Sequence, residues 1–235
     1  MQIYLDSADL ADIVRYAGDV AVRGFTTNPT LLRRAGVTNY AQFVTEAKFA
    51  AVGKPVSFEV IADEEEKMLD QALTIKDLAG TYPFYVKVPV VNSRNEPTYR
   101  AIERILSRNI PVNVTAVFTN EQIKRTVQTL LLSDTGSIVS IFAGRLGDLG
   151  IDPEPLFRAA SCYRLYGTKK VQTLWASPRE VFNVYQAERC GADIITLTPK
   201  LYEDYLKFKG YYPTLRAWDT AKMFYNDAKA SGLTL

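Results

Sequence analysis

One lysine stands inside an apolar run. Lys87 occupies the segment Phe84-Tyr85-Val86-Lys87-Val88-Pro89, and an ammonium enclosed by such neighbours loses hydration, which favours the neutral amine. An ordinary lysine, with a pKa of about 10.4, offers only about one neutral amine in 2,500 at pH 7. Lowering that pKa to about 7–8 corresponds to roughly 4 kcal/mol of desolvation and charge repulsion. The product is a nucleophile that condenses with ketones and aldehydes to form a Schiff base. The iminium draws electrons, so a neighbouring carbon–carbon bond can break without a metal or a cofactor. The competing expectation is a lysine whose head reaches a solvated rim or pairs with Glu59 or Asp6.

Breaking such a bond also needs a proton acceptor. Asp6 and Glu59 are the available carboxylates, and Thr115 offers a hydroxyl to hold a water. Arg145 and Arg179 carry planar guanidinium forks that match phosphate. Ser177 precedes a helix expected to start near Pro178, and a helix N-terminus favours an anion. Taken singly, each of these is ordinary, because a polar residue at a strand end is usually a cap and an arginine there usually makes a rim salt bridge. The recurrence is what points to a reaction site. Polar residues close seven apolar runs: Asp6 after QIYL, Thr26-Thr27-Asn28 after GF, Glu59 in VSFEV, Lys87 in FYVKVP, Asn113 and Thr115 in VNVTAV, Ser140 and Arg145 around SIFAGR, and Ser177 and Arg179 in LWASPR.

The elements that must position these residues follow from the same runs. Candidate strands are Gln2–Leu5, Val22–Phe25, Pro55–Glu59, Phe84–Val88, Pro111–Val117, Ser137–Phe142, Val171–Ala176 and Asp193–Leu197. Amphipathic stretches such as Glu65–Leu78, Pro97–Ser107, Asn120–Leu132 and Pro178–Arg189 lie between them. Two of these open on proline, which suits the first helical position. The strands recur about every 30 residues, the length of one βα unit. The fold class expected is α/β, a single (β/α)8 TIM barrel over residues 1–235 with an aromatic-rich C-terminal helical extension over residues 200–235. An open doubly wound sheet fits less well, because no glycine-rich phosphate loop follows any strand. In a barrel the reacting groups gather at the C-terminal strand ends. Alternation then places Tyr85 and Lys87 inward, with Phe84, Val86 and Val88 against the helices, and gives shared faces to Thr26 and Asn28, to Asn113 and Thr115, and to Ser140 and Phe142. The extension carries Tyr202, Tyr205, Phe208, Tyr211, Tyr212, Trp218, Phe224 and Tyr225, and is expected to pack across the barrel or onto a second subunit.

Composition narrows the function. The chain has 235 residues, 47% hydrophobic and 23% charged, with 28 basic and 26 acidic residues for a net charge of +2. That balance gives no electrostatic footprint for nucleic acid. Histidine is absent, which excludes Ser-His-Asp chemistry and histidine general bases and removes the commonest zinc ligand. No metal or cofactor is expected. Cys162 and Cys190 are too few for a disulfide framework or a cluster and are expected to be buried small apolar residues. The N-terminus MQIYLDSADL lacks a signal-peptide pattern and no run approaches 18 apolar residues, so a cytoplasmic protein with no membrane partner is expected. The acidic run Asp63–Glu66 opens a helix, where the macrodipole favours it, and Lys169-Lys170 reads as a solvated loop pair.

The segments LDSAD (5–9), FTTNPTLL (25–32), VSFEV (56–60), YVKVP (85–89), NVTAVF (113–118), SIFAGRLGDLG (140–150), ASPR (176–179) and GADIITL (191–197) resemble the transaldolase family, especially its small members, which include fructose-6-phosphate aldolases. The resemblance runs from Met1 to about Pro199. It implies Schiff-base transfer of a dihydroxyacetone unit from a ketose phosphate, such as fructose 6-phosphate or sedoheptulose 7-phosphate, to an aldose phosphate. By matching position, Lys87 looks like the Schiff-base lysine and Asp6 like the carboxylate acid/base. Glu59 and Thr115 look like the pair that holds the catalytic water. Thr26, Asn28, Asn113 and Ser140 look like the residues on donor hydroxyls, and Arg145, Ser177 and Arg179 like the phosphate site. Glu59 and Phe142 are similar to the transaldolase subgroup, whereas the free aldolases typically carry glutamine and tyrosine there. Two readings stand beside this one: a lyase that uses the same lysine, and a non-catalytic sugar-phosphate-binding barrel. The chain departs from the pattern at Pro178 and at Glu180-Val181, where asparagine-proline is usual. The resemblance also implies a homo-oligomer, ring-shaped, with C-terminal helices at the subunit contacts.

Overall fold

A run that is apolar on both faces is stable only between two strands and under a layer of helices, and all eight runs form such strands. The structure, a computed structural model, describes residues 1–164 and 171–232. The strands are β1 (Gln2–Asp6), β2 (Val22–Thr26), β3 (Val56–Glu59), β4 (Phe84–Pro89), β5 (Val112–Val117), β6 (Ser137–Ile141), β7 (Val171–Trp175) and β8 (Ile194–Leu197). Each boundary falls within one residue of its expected place. The strands pair in parallel in chain order, and β1 closes on β8 to complete a barrel. The helices are α1 (Leu10–Ala17), α2 (Pro29–Arg34), α3 (Tyr40–Ala50), α4 (Glu65–Ala79), α5 (Tyr99–Leu106), α6 (Asn120–Leu130), α7 (Ala143–Asp148), α8 (Glu154–Arg164), α9 (Phe182–Arg189), α10 (Pro199–Phe208) and α11 (Pro213–Ala230). The fold is a (β/α)8 barrel of the TIM type.

Alternation along the strands divides the apolar residues into two layers. Leu5, Phe25, Phe58, Val86, Val88, Val114, Ile141 and Ile195 pack against the helices. Tyr4, Ile138, Leu174 and Ile194, with Tyr85, pack together inside the barrel. Tyr85 thus faces inward and Val86 outward, as the alternation requires. Gly24 makes room for this plug, because a Cβ there would lie 2.6 Å from the Tyr4 ring. Two residues further along β1, β4, β6 and β8, on the same inner face, Tyr4, Tyr85, Ile138 and Ile194 give way to Asp6, Lys87, Ser140 and Thr196. The barrel interior is therefore apolar below and polar at its C-terminal mouth.

Several expectations are corrected. Neither Pro97 nor Pro178 opens a helix. Pro97 pairs with Val91 in an isolated antiparallel bridge and α5 begins at Tyr99. After Pro178 the chain turns before α9 starts at Phe182. The prolines in the first turns of helices are Pro29, Pro155, Pro199 and Pro213. Cys162 is exposed on α8, while Cys190 is buried and burial pushes its thiol up to about 11. Tyr202 of α10 is buried edge-on against Tyr16 and donates to Asp19 at 2.7 Å, which seats α10 on α1. By contrast α11 buries no residue and does not pack across the barrel, leaving Trp218, Phe224 and Tyr225 61–66% exposed. The acidic run opens α4 as expected, and Glu65 and Glu66 there also pair with Arg104. Lys169 and Lys170 lie outside the described residues.

Candidate active site

A cavity of about 450 Å3 opens at the C-terminal ends of the strands, within the range of small-molecule sites. Of the twelve residues singled out by sequence, eleven line it: Lys87, Asp6, Glu59, Thr115, Thr26, Asn28, Ser140, Phe142, Arg145, Ser177 and Arg179. The twelfth, Asn113, lies just beneath. It is fully buried, donates to Ser57 at 3.1 Å and accepts from Ser140 at 2.6 Å, so it fixes the Ser140 hydroxyl that does face the cavity.

Lys87 is only 6% exposed. Its Nζ lies 3.0 Å from Glu59 Oε2 and donates to the Thr27 carbonyl at 2.9 Å. The pairing with Glu59 that the sequence left open is therefore present, and it sits inside the cavity rather than at a rim. The register brings this about, since Glu59 and Lys87 are direct neighbours across β3 and β4. Tyr40 of α3 donates to the Glu59 carbonyl at 2.8 Å and ties the end of β3 to the helix layer.

Asp6 closes β1 beside β2. It accepts from Thr26 Oγ1 at 2.7 Å and from Asn28 Nδ2 at 3.4 Å. Because Thr26 spends its proton on Asp6, Thr196 is the donor in the 2.6 Å contact between the two threonine hydroxyls. Burial pushes the Asp6 carboxyl above the ordinary carboxylate range, against the opposing pull of Lys87 and the Thr26 hydrogen bond. Asn28 also caps α2, accepting from Leu31 N–H at 3.0 Å. Thr115 stands at an irregularity in β5: the register with β6 shifts between Val114 and Val117, and Ala116 takes a positive φ of 56°. The Thr115 hydroxyl is buried at the cavity wall and makes no hydrogen bond within the protein.

The far wall differs from expectation. Ser177 caps no helix. It takes a left-handed φ of 61°, and the amides of Arg179 and Glu180 are both taken by Asn183 Oδ1, at 2.7 and 3.3 Å. Helix geometry therefore starts after the point where an anion site was anticipated. Gly144 permits the close approach of this loop to α7, since a Cβ on it would fall 1.6 Å from the Ser177 carbonyl oxygen. Arg179 is bound through Nε and Nη2 to Asp148. Arg145 stacks over Phe142 at 5.3 Å, and Phe142 in turn meets Phe118.

Sequence reasoning missed Arg34 and Thr196, which also line the cavity. Thr196 follows Ile194 by two on β8, so the alternation used elsewhere identifies it. Arg34 is one of two adjacent arginines, and only the phase of α2 tells them apart. Among the described residues no group of three or more His, Cys, Asp or Glu side chains is placed to hold a metal ion, and no helix is long and apolar enough to cross a membrane.

Among solved structures, a 3-hexulose-6-phosphate synthase superposes with a TM-score of 0.58 at 18% identity, covering 86% of this chain and 91% of its own. N-acetylneuraminate lyase from Mycoplasma synoviae gives 0.59 at 11% identity, covering 97% and 80%. These likenesses speak to the barrel alone. Sequence relatives go further. A "Probable transaldolase" of Thermus thermophilus is 33% identical over 94% of this chain and the whole of the relative. Another from Thermoplasma volcanium is 32% identical over 84% of each, and a "Probable transaldolase 2" of Listeria monocytogenes is 31% identical over 93% of this chain and 96% of its own. With the Transaldolase/Fructose-6-phosphate aldolase family model matching residues 3–234 of a chain whose barrel mouth carries this lysine–carboxylate set, the protein belongs to that family.

Proposed function

We propose that the protein is a transaldolase, moving a dihydroxyacetone unit from a ketose phosphate to an aldose phosphate through a Schiff base on Lys87. The observation that carries this reading is the placement of Lys87. It is buried at the floor of a polar cavity, 3.0 Å from the Glu59 carboxylate. The neutral amine adds to the ketose C2 carbonyl, and loss of water leaves an iminium. Asp6 takes the C4 hydroxyl proton as the C3–C4 bond breaks. The bonding pair moves to C3 and is delocalised into the iminium as an enamine, while the aldose phosphate departs. The enamine then attacks an acceptor aldehyde, the acceptor oxygen takes the proton held by Asp6 as the new carbon–carbon bond forms, and water hydrolyses the regenerated iminium to release the product and the free amine. A base whose affinity for protons is raised by burial suits the Asp6 role. Glu59 and the unpaired Thr115 hydroxyl hold the water that enters and leaves. Thr26, Asn28 and Ser140 are read as donors and acceptors for substrate hydroxyls, with Asn113 acting through Ser140. Arg145, Ser177 and Arg179 are read as the wall that meets phosphate.

Phe142 favours transfer over free lysis, because it lacks a phenol to protonate the enamine. Borohydride quenching with fructose 6-phosphate should leave a covalent adduct on Lys87, seen by mass spectrometry and abolished in Lys87→Met. No adduct, with a known Schiff-base aldolase labelled in parallel, overturns the reading and favours a binding barrel. Release of dihydroxyacetone at a similar rate with and without erythrose 4-phosphate identifies a lyase instead. The exposed aromatic face of α11 supports a homo-oligomer.

A further inference from the structure

We propose that Thr196 is a positioning residue for the Asp6 carboxylate and acts on it through Thr26. This rests on the reading of Asp6 as the base that takes the C4 hydroxyl proton. Three consecutive strands of the ring, β8, β1 and β2, supply the parts. Thr26 is level with Asp6 in the register of β1 with β2, whereas Thr196 is level with Tyr4, two residues lower on β1. Both threonines line the cavity. Their hydroxyls meet at 2.6 Å, and Thr26 Oγ1 lies 2.7 Å from Asp6 Oδ1. The contact links β8 to β2 across the inner face of β1.

The direction of this chain of hydroxyls is forced. An ionised carboxylate only accepts, so the single Thr26 proton goes to Asp6 and Thr196 donates into Thr26. The Thr196 hydroxyl makes no other hydrogen bond among the described residues, and Thr26 and Thr196 are only 2% and 4% exposed. A hydroxyl that accepts one hydrogen bond is polarised and donates the next more strongly. Thr196 therefore strengthens the bond that favours the ionised form of Asp6. Thr26 keeps one lone pair free for a substrate hydroxyl. Burial pushes the Asp6 carboxyl up, and the hydroxyl pair opposes that rise. The charges acting on Asp6 are Lys87 of β4, which lowers its proton affinity, and Glu59 of β3, which raises it. Arg34, Arg145 and Arg179 line the same cavity. None of these hydrogen-bonds to Thr196, so removing its hydroxyl leaves every charge in place.

The test is a 13C NMR titration of protein labelled at the aspartate carboxyl carbons, without substrate. Loss of one signal in Asp6→Asn identifies Asp6. Thr196→Val, of similar shape, should raise the Asp6 midpoint by at least about 0.3 pH unit, and Thr196→Ser should restore it to within about 0.1 unit. With Thr26→Val already in place, Thr196→Val should add less than about half of its single effect, because the route is cut. An unmoved midpoint in Thr196→Val overturns the proposal. So does a full effect in the absence of the Thr26 hydroxyl, which would show that Thr196 acts only by solvation. Thr196→Ala carries the same expectation if the valine variant does not fold. The acid limb of kcat/KM for transfer from fructose 6-phosphate to erythrose 4-phosphate should move with the midpoint. A midpoint that moves while the limb stays supports the Thr196–Thr26–Asp6 chain and removes Asp6 from the role of base, so the two readings fail separately.

Discussion

Asp6 keeps its raised proton affinity even though Thr26 and Asn28 both reach its oxygens. A carboxyl whose folded pKa lies above its unfolded value binds protons better in the folded state. Stability therefore falls as pH rises from the ordinary unfolded value, about 3.9, through the folded one. Above the folded value, the ionised Asp6 weakens the fold. Asp6→Asn is expected to raise the melting temperature at pH 7 by about 2–4 °C, with the gain shrinking as pH falls towards 4, while turnover is lost. Thermal melts from pH 4 to 7 check this, and an unchanged or lower value at pH 7 contradicts it. Thr115 separates function from structure in another way. Its buried hydroxyl has no protein partner, so Thr115→Val, of similar shape, should leave stability within about 0.5 kcal/mol or improve it. Turnover should drop at least about tenfold, and equal turnover would remove Thr115 from the water-holding role. Most of these residues were legible because each is a polar break in an apolar run. Arg34 was not, because nothing in Leu31-Leu32-Arg33-Arg34 marks which arginine faces inward until the helix phase is known.

Strands were read more accurately than helices for a physical reason. Burial on both faces writes a strand as an uninterrupted apolar run, whereas a helix start is set by caps that several local arrangements can supply. Pro178 illustrates this: Asn183 reaches back to the amides of Arg179 and Glu180 and holds a turn where a helix was expected. The six-residue helices α2 and α7 are too short to show a period, yet both shape the mouth. At α7 the fit is tight. Gly144→Ala sets a methyl against the Ser177 carbonyl, and forcing the loop aside should cost about 1–3 kcal/mol. Chemical denaturation measures that loss, and phosphate affinity should fall with it as Ser177 is displaced. A variant as stable as the parent would show that the loop yields freely.

At the scale of the whole molecule, α11 is the element that the barrel does not account for. An 18-residue helix with no buried residue and a row of aromatics is a poor free end. If α11 carries the proposed subunit contacts, ending the chain after Gly210 should give a smaller species than the full chain in sedimentation velocity while the Lys87 adduct still forms. An unchanged species would show that α11 carries no subunit contact. Within the barrel, the greasy stopper of Tyr4, Tyr85, Ile138, Leu174 and Ile194 sits a single alternation below the reactive tier. Foundation and workbench are thus borne on the same strands but on different rungs. Evolution or an engineer can retool the upper rung, swapping one carbonyl chemistry for another, while the footing that keeps the cylinder closed stays untouched.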